Sequence, residues 1–135
     1  MQTFLPHADF AESASVLDRL RLGKQRVETL QLLKALREGG GWSNHPAARM
    51  WRGHEAALLE YGQAICDEWT SRGYKDTCRD KMAAFVEGGE PVVYPTWLGD
   101  PALHASHRSN LYRKDPDYYA EFEGPFLEYV WPVSK

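Results

Sequence analysis

The sequence predicts an all-α, mainly helical fold, on three observations. Apolar residues recur at helical spacing in two long stretches. The first is Leu20, Val27, Leu30, Leu33 and Leu36; the second is Met50, Ala57, Leu58, Tyr61, Ile65 and Trp69. Helix-starting residues stand before these stretches and glycines stand behind them. The chain has 135 residues, 43% apolar and 13% aromatic, which is enough for one buried core and points to a single domain over 1–135.

Each element has its own signal. Residues 2–5 read as a short extended stretch that Pro6 ends. Asp9 is placed to cap a helix over roughly 10–16, and Asp18 to cap the next, roughly 19–37. Gly39, Gly40 and Gly41 stop it. Asn44-His45-Pro46 starts a third helix over roughly 46–71, with Pro46 at its first position and Gly73 behind its end. Asp76 and Thr77 start a shorter helix to about Phe85, and Gly88-Gly89-Glu90-Pro91 breaks it. The Pro-rich run 91–99 is a loop expected to pack on the core. Asp100-Pro101 starts a helix over roughly 101–113, and Asp115-Pro116 a last short one. The aromatic tail FLEYVWP is expected to pack down rather than trail in solvent.

Charge and composition narrow the function. Net charge is −3, which argues against non-specific adhesion to nucleic acid and confines any nucleic-acid site to a local basic patch. No apolar run approaches the ~18 residues of a membrane helix, and MQTFLPHADF lacks the basic and apolar regions of a signal peptide. Cys66 and Cys78 read as free thiols of a cytoplasmic protein. A phosphate-binding P-loop, a GxGxxG turn, paired zinc cysteines and a Gly-x-Ser-x-Gly elbow are all missing from the sequence.

The helix 19–37 carries Arg19, Arg21, Lys24 and Arg26 around Glu28. Four cations about one carboxylate suit a polyanion, with Glu28 as a proton handler; a solvated charged face is the competing reading. Near neutral pH part of any N-terminal α-amine is already the nucleophilic free base, so the amine of Met1 is a second candidate group. His104 and His107 are three apart, but no Cys, Asp or Glu stands one turn away to complete a metal site. Arg108, Arg113 and Lys114 interleave with Tyr112, Tyr118 and Tyr119, the composition of a nucleic-acid surface; a capped helix with half-buried tyrosines is the alternative. Asn44-His45-Pro46 followed by Arg49 and Arg52 is a helix start with nearby cations, which an anion or an ordinary cap explains equally.

Five segments, in order, resemble the pyrimidine-dimer DNA glycosylases of the phage endonuclease V type, and in particular their bacterial branch. They are MQTFLP, LDRLRLGKQRVETL, NHPAARMWRGHEAALLEYGQAICDEW, SRGYKDT and HRSNLYRKDPDYY, with a terminal YVWP. The resemblance implies a compact, mainly helical domain that excises a damaged or modified pyrimidine from duplex DNA and cleaves the strand at the abasic site. It implies an N-terminal amine nucleophile, here that of Met1, because Gln2 is too bulky for ready removal of the methionine. It implies Glu28 as the acid/base residue. Arg26 and Arg19 would hold phosphates, with Lys24 and Arg108 beside them, and Tyr118 and Tyr119 would lie against the DNA. No metal or organic cofactor is implied, and a monomer is expected. Two rivals remain: a non-catalytic nucleic-acid- or nucleotide-binding protein on the same fold, and a metal-dependent hydrolase using His45, His104 and His107.

Overall fold

In the structure, a computed structural model that describes residues 1–133, most of the α-helices begin where a side chain accepts one of their free N–H groups. Asp9 Oδ1 accepts from the Glu12 N–H at 2.8 Å and starts α1 (Phe10–Val16). Asp18 Oδ2 accepts from the Arg21 N–H at 3.3 Å and starts α2 (Arg19–Glu38). That helix ends at Gly39, whose φ of 83° a side chain would resist. A turn of 3-10 helix, Gly41–Asn44, leads to α3 (Pro46–Arg49), which His45 caps by accepting the Ala47 N–H on Nδ1 at 3.0 Å. There follow α4 (Glu55–Ser71), α5 (Cys78–Ala83), α6 (Pro101–Lys114) and a 3-10 turn at Ala120–Phe122. Among the described residues there is no strand, and no helix is long and apolar enough to cross a membrane.

Three differences from the sequence expectation matter. The helix expected over 46–71 is two helices, because the chain turns at Gly53, where φ is +84°, and buries Trp51 in the break. The last short helix expected from Asp115-Pro116 reduces to the turn Ala120–Phe122. The apolar face of α2 is also rotated from the expected one. Its buried stripe is Leu22, Gln25, Thr29, Leu32, Leu33 and Ala35. Leu20 and Val27, expected inside, are 67% and 43% exposed.

Helix α4 is the central element and packs against α1, α2 and α5. The closeness of α2, α4 and α5 depends on Gly62. A Cβ there would stand 2.9 Å from Thr29 Cγ2 and 2.4 Å from Met82 Sδ. The aromatic tail does pack down, in part. Asn110 Nδ2 donates to Leu127 O at 2.9 Å, and Val130 N donates to Ser106 Oγ at 3.2 Å. Tyr129, Val130 and Trp131 then rest on the core while Phe126 and Leu127 stay exposed. The 91–99 loop divides in the same way. Val92, Val93 and Tyr94 are exposed, and Trp97 packs inward with its Nε1 on Met50 O at 3.0 Å.

Candidate active-site cleft

The first six residues run extended through the protein, and residues 2–6 are buried. An extended segment without strand partners must find its backbone hydrogen bonds elsewhere. Side chains from three helices supply them. Gln25 of α2 accepts the Phe4 N–H at 3.0 Å and donates to Gln2 O at 2.7 Å. Tyr61 of α4 donates to Phe4 O at 2.8 Å and lies 2.6 Å from Gln25 Oε1. On α6, His107 Nδ1 accepts the Leu5 N–H at 2.8 Å, and His104 Nδ1 lies 2.8 Å from Leu5 O. Gly99 N donates to His104 Nε2 at 2.9 Å, so the proton of neutral His104 sits on Nδ1 and goes to Leu5 O. Trp51 Nε1 donates to Thr3 Oγ1 at 3.0 Å, and Arg108 Nη1 to Pro6 O at 2.6 Å.

This network answers the question raised by the histidine pair. Three of their four ring nitrogens serve the backbone at Leu5 and Gly99, and His107 Nε2 is buried without a hydrogen-bond partner. Among the described residues no group of three or more His, Cys, Asp or Glu stands together to hold one. Burial, with the neighbouring His104 adding to it, pushes the His107 imidazole down to about 3, so it is neutral at physiological pH. Burial and then the negative charge of Glu28 push the Tyr61 hydroxyl upward, so it remains a donor.

Clamped in this way, Met1 emerges in an open cleft along the outer face of α2. The cleft has two lobes of about 580 and 590 Å³, and Met1, Leu20, Lys24 and Glu28 line both. The first lobe is mainly apolar, walled by Gly23, Val27, Trp42 and Trp69, with Arg19 and Gln31 at its edges. The second is more polar, with Gln2, Arg21, Gln25, Lys114 and Tyr129. His45 stands on the same side. Burial, and then the positive N-terminus, hold its imidazole below the ordinary value. Its ring lies between Trp42 and Trp131, at centroid distances of 5.5 and 6.0 Å.

The sequence candidates therefore divide. Met1, Glu28, Arg19 and Lys24 come together in the cleft. Met1 and Glu28 line the same space, and no ion pair joins them among the described residues. Arg26 is turned away: its Nη1 lies 2.6 Å from Asp76 Oδ1, and its guanidinium sits 4.4 Å from the Trp69 ring centroid. Arg108 does not line either lobe and instead donates from Nη1 to Pro6 O. Tyr119 is only 1% exposed; its hydroxyl accepts the Asp18 N–H at 2.8 Å and donates to the Asp18 carboxylate. Burial raises the Asp18 carboxyl, but the Tyr119 hydroxyl and Arg21 outweigh it and hold the group below its ordinary value. Tyr118 is half exposed, with its hydroxyl 3.3 Å from Leu17 O.

Sequence reasoning missed Trp42, Trp69 and Gln25, while Lys114, expected on a nucleic-acid surface, does line the second lobe. The exposed periodic positions Leu20 and Val27 were the available signal for the cleft, because a helix face that is apolar yet unburied lines something.

Trp69 is the most constrained of the cleft walls. It stacks on Tyr74 at 4.3 Å and 28°, and its Nε1 donates to Lys75 O at 2.9 Å. Its ring carbons would lie 3.1 Å from a Cβ at position 23, so Gly23 is what lets α2 pass so close.

No curated protein and no solved structure matches the chain. The family model described as pyrimidine dimer DNA glycosylase, a class of DNA repair enzyme, matches residues 1–82 of the 135 and covers the N-terminal segment, α1 to α4 and most of α5. By that match the chain belongs to the pyrimidine dimer DNA glycosylase family.

Proposed function

We propose that the protein is a DNA glycosylase with abasic-site lyase activity, working through the N-terminal amine of Met1 as one domain and as a monomer. The observation that carries this is the meeting of Met1 and Glu28 in one cleft, at the end of a segment whose backbone is held by five buried or half-buried side chains, with Trp51 on the Thr3 hydroxyl as well. Rigid placement of a nucleophile lowers the barrier by removing orientational freedom before reaction.

The chemistry needs no metal or cofactor. The free-base amine attacks C1′ of a damaged or modified pyrimidine nucleotide, and the base leaves with the electrons of the glycosidic bond. The ring oxygen is then expelled as the amine loses a proton, leaving a protonated imine at C1′. The Glu28 carboxylate removes a C2′ proton; those electrons form the C2′–C3′ double bond and the 3′ phosphate departs. Water finally hydrolyses the imine and returns the amine. Arg19 and Lys24 hold phosphates beside this site. Arg26 acts by bracing Trp69, and Arg108 by holding Pro6 O. Tyr118 supports the Leu17–Asp18 junction together with Tyr119.

Borohydride reduction in the presence of abasic DNA tests the reading. A covalent adduct is expected on the Met1 nitrogen, located by peptide mapping. A chain extended before Met1 by a fixed tag should fold and yet form none. Adduct formation by the tagged protein would move the nucleophile to Lys24. Absence of an adduct from both forms would leave only the non-catalytic binding protein.

A further inference from the structure

We propose that His45 is a further catalytic residue of this cleft: as a neutral imidazole it donates a hydrogen bond from Nε2 to the oxygen that leaves C1′ when the imine forms. The inference rests on the lyase chemistry above and assigns a group to a step which that chemistry leaves without one.

The step needs a donor. The nitrogen, once bonded to C1′ and relieved of a proton, pushes its lone pair into a C1′–N double bond. The C1′–O4′ bond breaks, its electron pair stays on O4′, and O4′ takes up, through solvent, the proton that the nitrogen released. On a preformed abasic site the departing oxygen is the C1′ hydroxyl, and the electrons move in the same way. Glu28 cannot serve that oxygen. It must be ionised to take the C2′ proton, and an ionised carboxylate only accepts hydrogen bonds. A fixed neutral donor stabilises the charge developing on the oxygen without changing its own.

His45 has both the placement and the tautomer. On one side its ring lies 5.5 Å from Trp42, which walls the first lobe. On the other it lies 6.0 Å from Trp131, whose ring is 5.7 Å from that of Tyr129 in the second lobe. Met1 lines both lobes, so the histidine is bracketed by the same walls that flank the terminus. Burial, and then the positive N-terminus, hold the imidazole below its ordinary value, which leaves it neutral at physiological pH. Its Nδ1 accepts the Ala47 N–H at 3.0 Å, so the proton of the neutral ring is on Nε2. A second proton on Nδ1 would face that N–H, and the cap therefore reinforces neutrality. Nε2 has no hydrogen-bond partner among the described residues and, unlike Nε2 of His107, is not closed off by burial. The other four histidines are engaged elsewhere. His104 and His107 hold the N-terminal segment, His7 Nδ1 lies 3.1 Å from Glu12, and His54 Nδ1 lies 2.8 Å from Val93 O.

The two ring nitrogens do separate jobs, and two substitutions tell them apart. His45→Asn puts an amide oxygen near the place of Nδ1, keeps the cap of α3 and removes the donor. His45→Gln puts an amide N–H near the place of Nε2 and gives up the cap. Each full-length protein is mixed with an abasic-site duplex and borohydride, and the rate of adduct formation is followed beside a urea melt. His45→Asn should trap about a hundredfold more slowly, the lower end of the worth of one oxyanion donor, with its urea midpoint unchanged. His45→Gln should recover most of the rate although its midpoint falls. Affinity for a duplex bearing a tetrahydrofuran abasic analogue, which cannot form the imine, should be equal in all three proteins. Trapping by His45→Asn at the wild-type rate overturns the inference and leaves the lyase standing. Trapping that follows the midpoint, or a parallel loss of affinity for the analogue, also overturns it, because His45 would then be a structural cap or a DNA anchor. Failure of the wild-type protein itself to trap sinks the lyase reading, and this inference with it.

Discussion

The two faces of α2 are built from similar residues and do opposite work. The inner face, Leu22, Gln25, Thr29, Leu32 and Leu33, is fully buried, and its one strongly polar member is saturated. Gln25 makes hydrogen bonds to Gln2 O, Phe4 N and the Tyr61 hydroxyl. The outer face, Arg19, Leu20, Lys24, Val27 and Glu28, lines the cleft and leaves its charges free of ion pairs among the described residues. A buried polar group without a partner is costly, so Gln25 on the inner face is held in a closed network, while the Thr29 hydroxyl beside it has no hydrogen-bond partner. A reactive group must be free to meet substrate, so the outer face has to be an open one. The helix converts rigidity on one side into position on the other.

The sharpest way to break the comparison is to break the inner network with acid. His107 holds the Leu5 N–H through an unprotonated Nδ1, and burial depresses its folded value to about 3 against an ordinary 6.5. Between these values the unfolded chain binds a proton that the native protein refuses. The contribution to stability is therefore complete above pH 6.5 and is lost as pH falls towards 3, on the order of 5 kcal/mol in all. The burial-lowered His45 works in the same direction. Urea unfolding between pH 7 and 4 should show a midpoint that falls steadily with acid. His107→Asn keeps an acceptor for Leu5 and removes the titration, so it should flatten that dependence. An equally steep acid loss in the variant would take the role away from His107.

The outer face should respond in the opposite manner. Glu28→Gln preserves shape and removes the carboxylate. Turnover on abasic DNA should fall by roughly two to four orders of magnitude, the usual worth of a general acid/base group. Unfolding should stay within about 0.5 kcal/mol, because Glu28 makes no ion pair among the described residues and stands at the cleft. DNA affinity should hold or rise slightly, since one negative charge leaves a surface that binds phosphate. Full turnover in this variant would remove Glu28 from the chemistry even if the fold were untouched.

The same contrast shows which parts of the molecule the sequence could express. The starts of α1, α2 and α6 were legible because Asp9, Asp18 and Asp100 cap within three residues of themselves. The break at Gly53 was not, since a glycine inside a periodic stretch is often tolerated and the burial of Trp51 that settles the matter is a tertiary event. Met1 and Glu28 were each visible as candidates in the sequence, but their pairing leaned on the family resemblance and the charge clustered on the helix, because nothing local joins residues so far apart. His104 and His107 were visible as a pair, but their partner is the backbone of Leu5, 99 and 102 residues away, so their spacing could not show what they hold. Tyr118 and Tyr119 are neighbours of identical type, and only packing decides that the second is buried on Asp18.

The smallest effect tests the rotation of α2 most directly. By period alone Leu20 belongs to the apolar stripe, and a core leucine truncated to alanine costs about 2–5 kcal/mol. Leu22→Ala should show such a loss, because Leu22 is completely buried. Leu20 is 67% exposed in the cleft, so Leu20→Gln should change unfolding by no more than about 0.5 kcal/mol, with glutamine nearly as good a helix former. The polar side chain would still alter the apolar lobe, and binding of abasic DNA should weaken modestly while the fold stays intact. Both quantities come from one preparation, a urea melt and an oligonucleotide titration. A large loss of stability from Leu20→Gln would mean that the inner face extends further round the helix, and that the cleft is narrower than its lining residues imply.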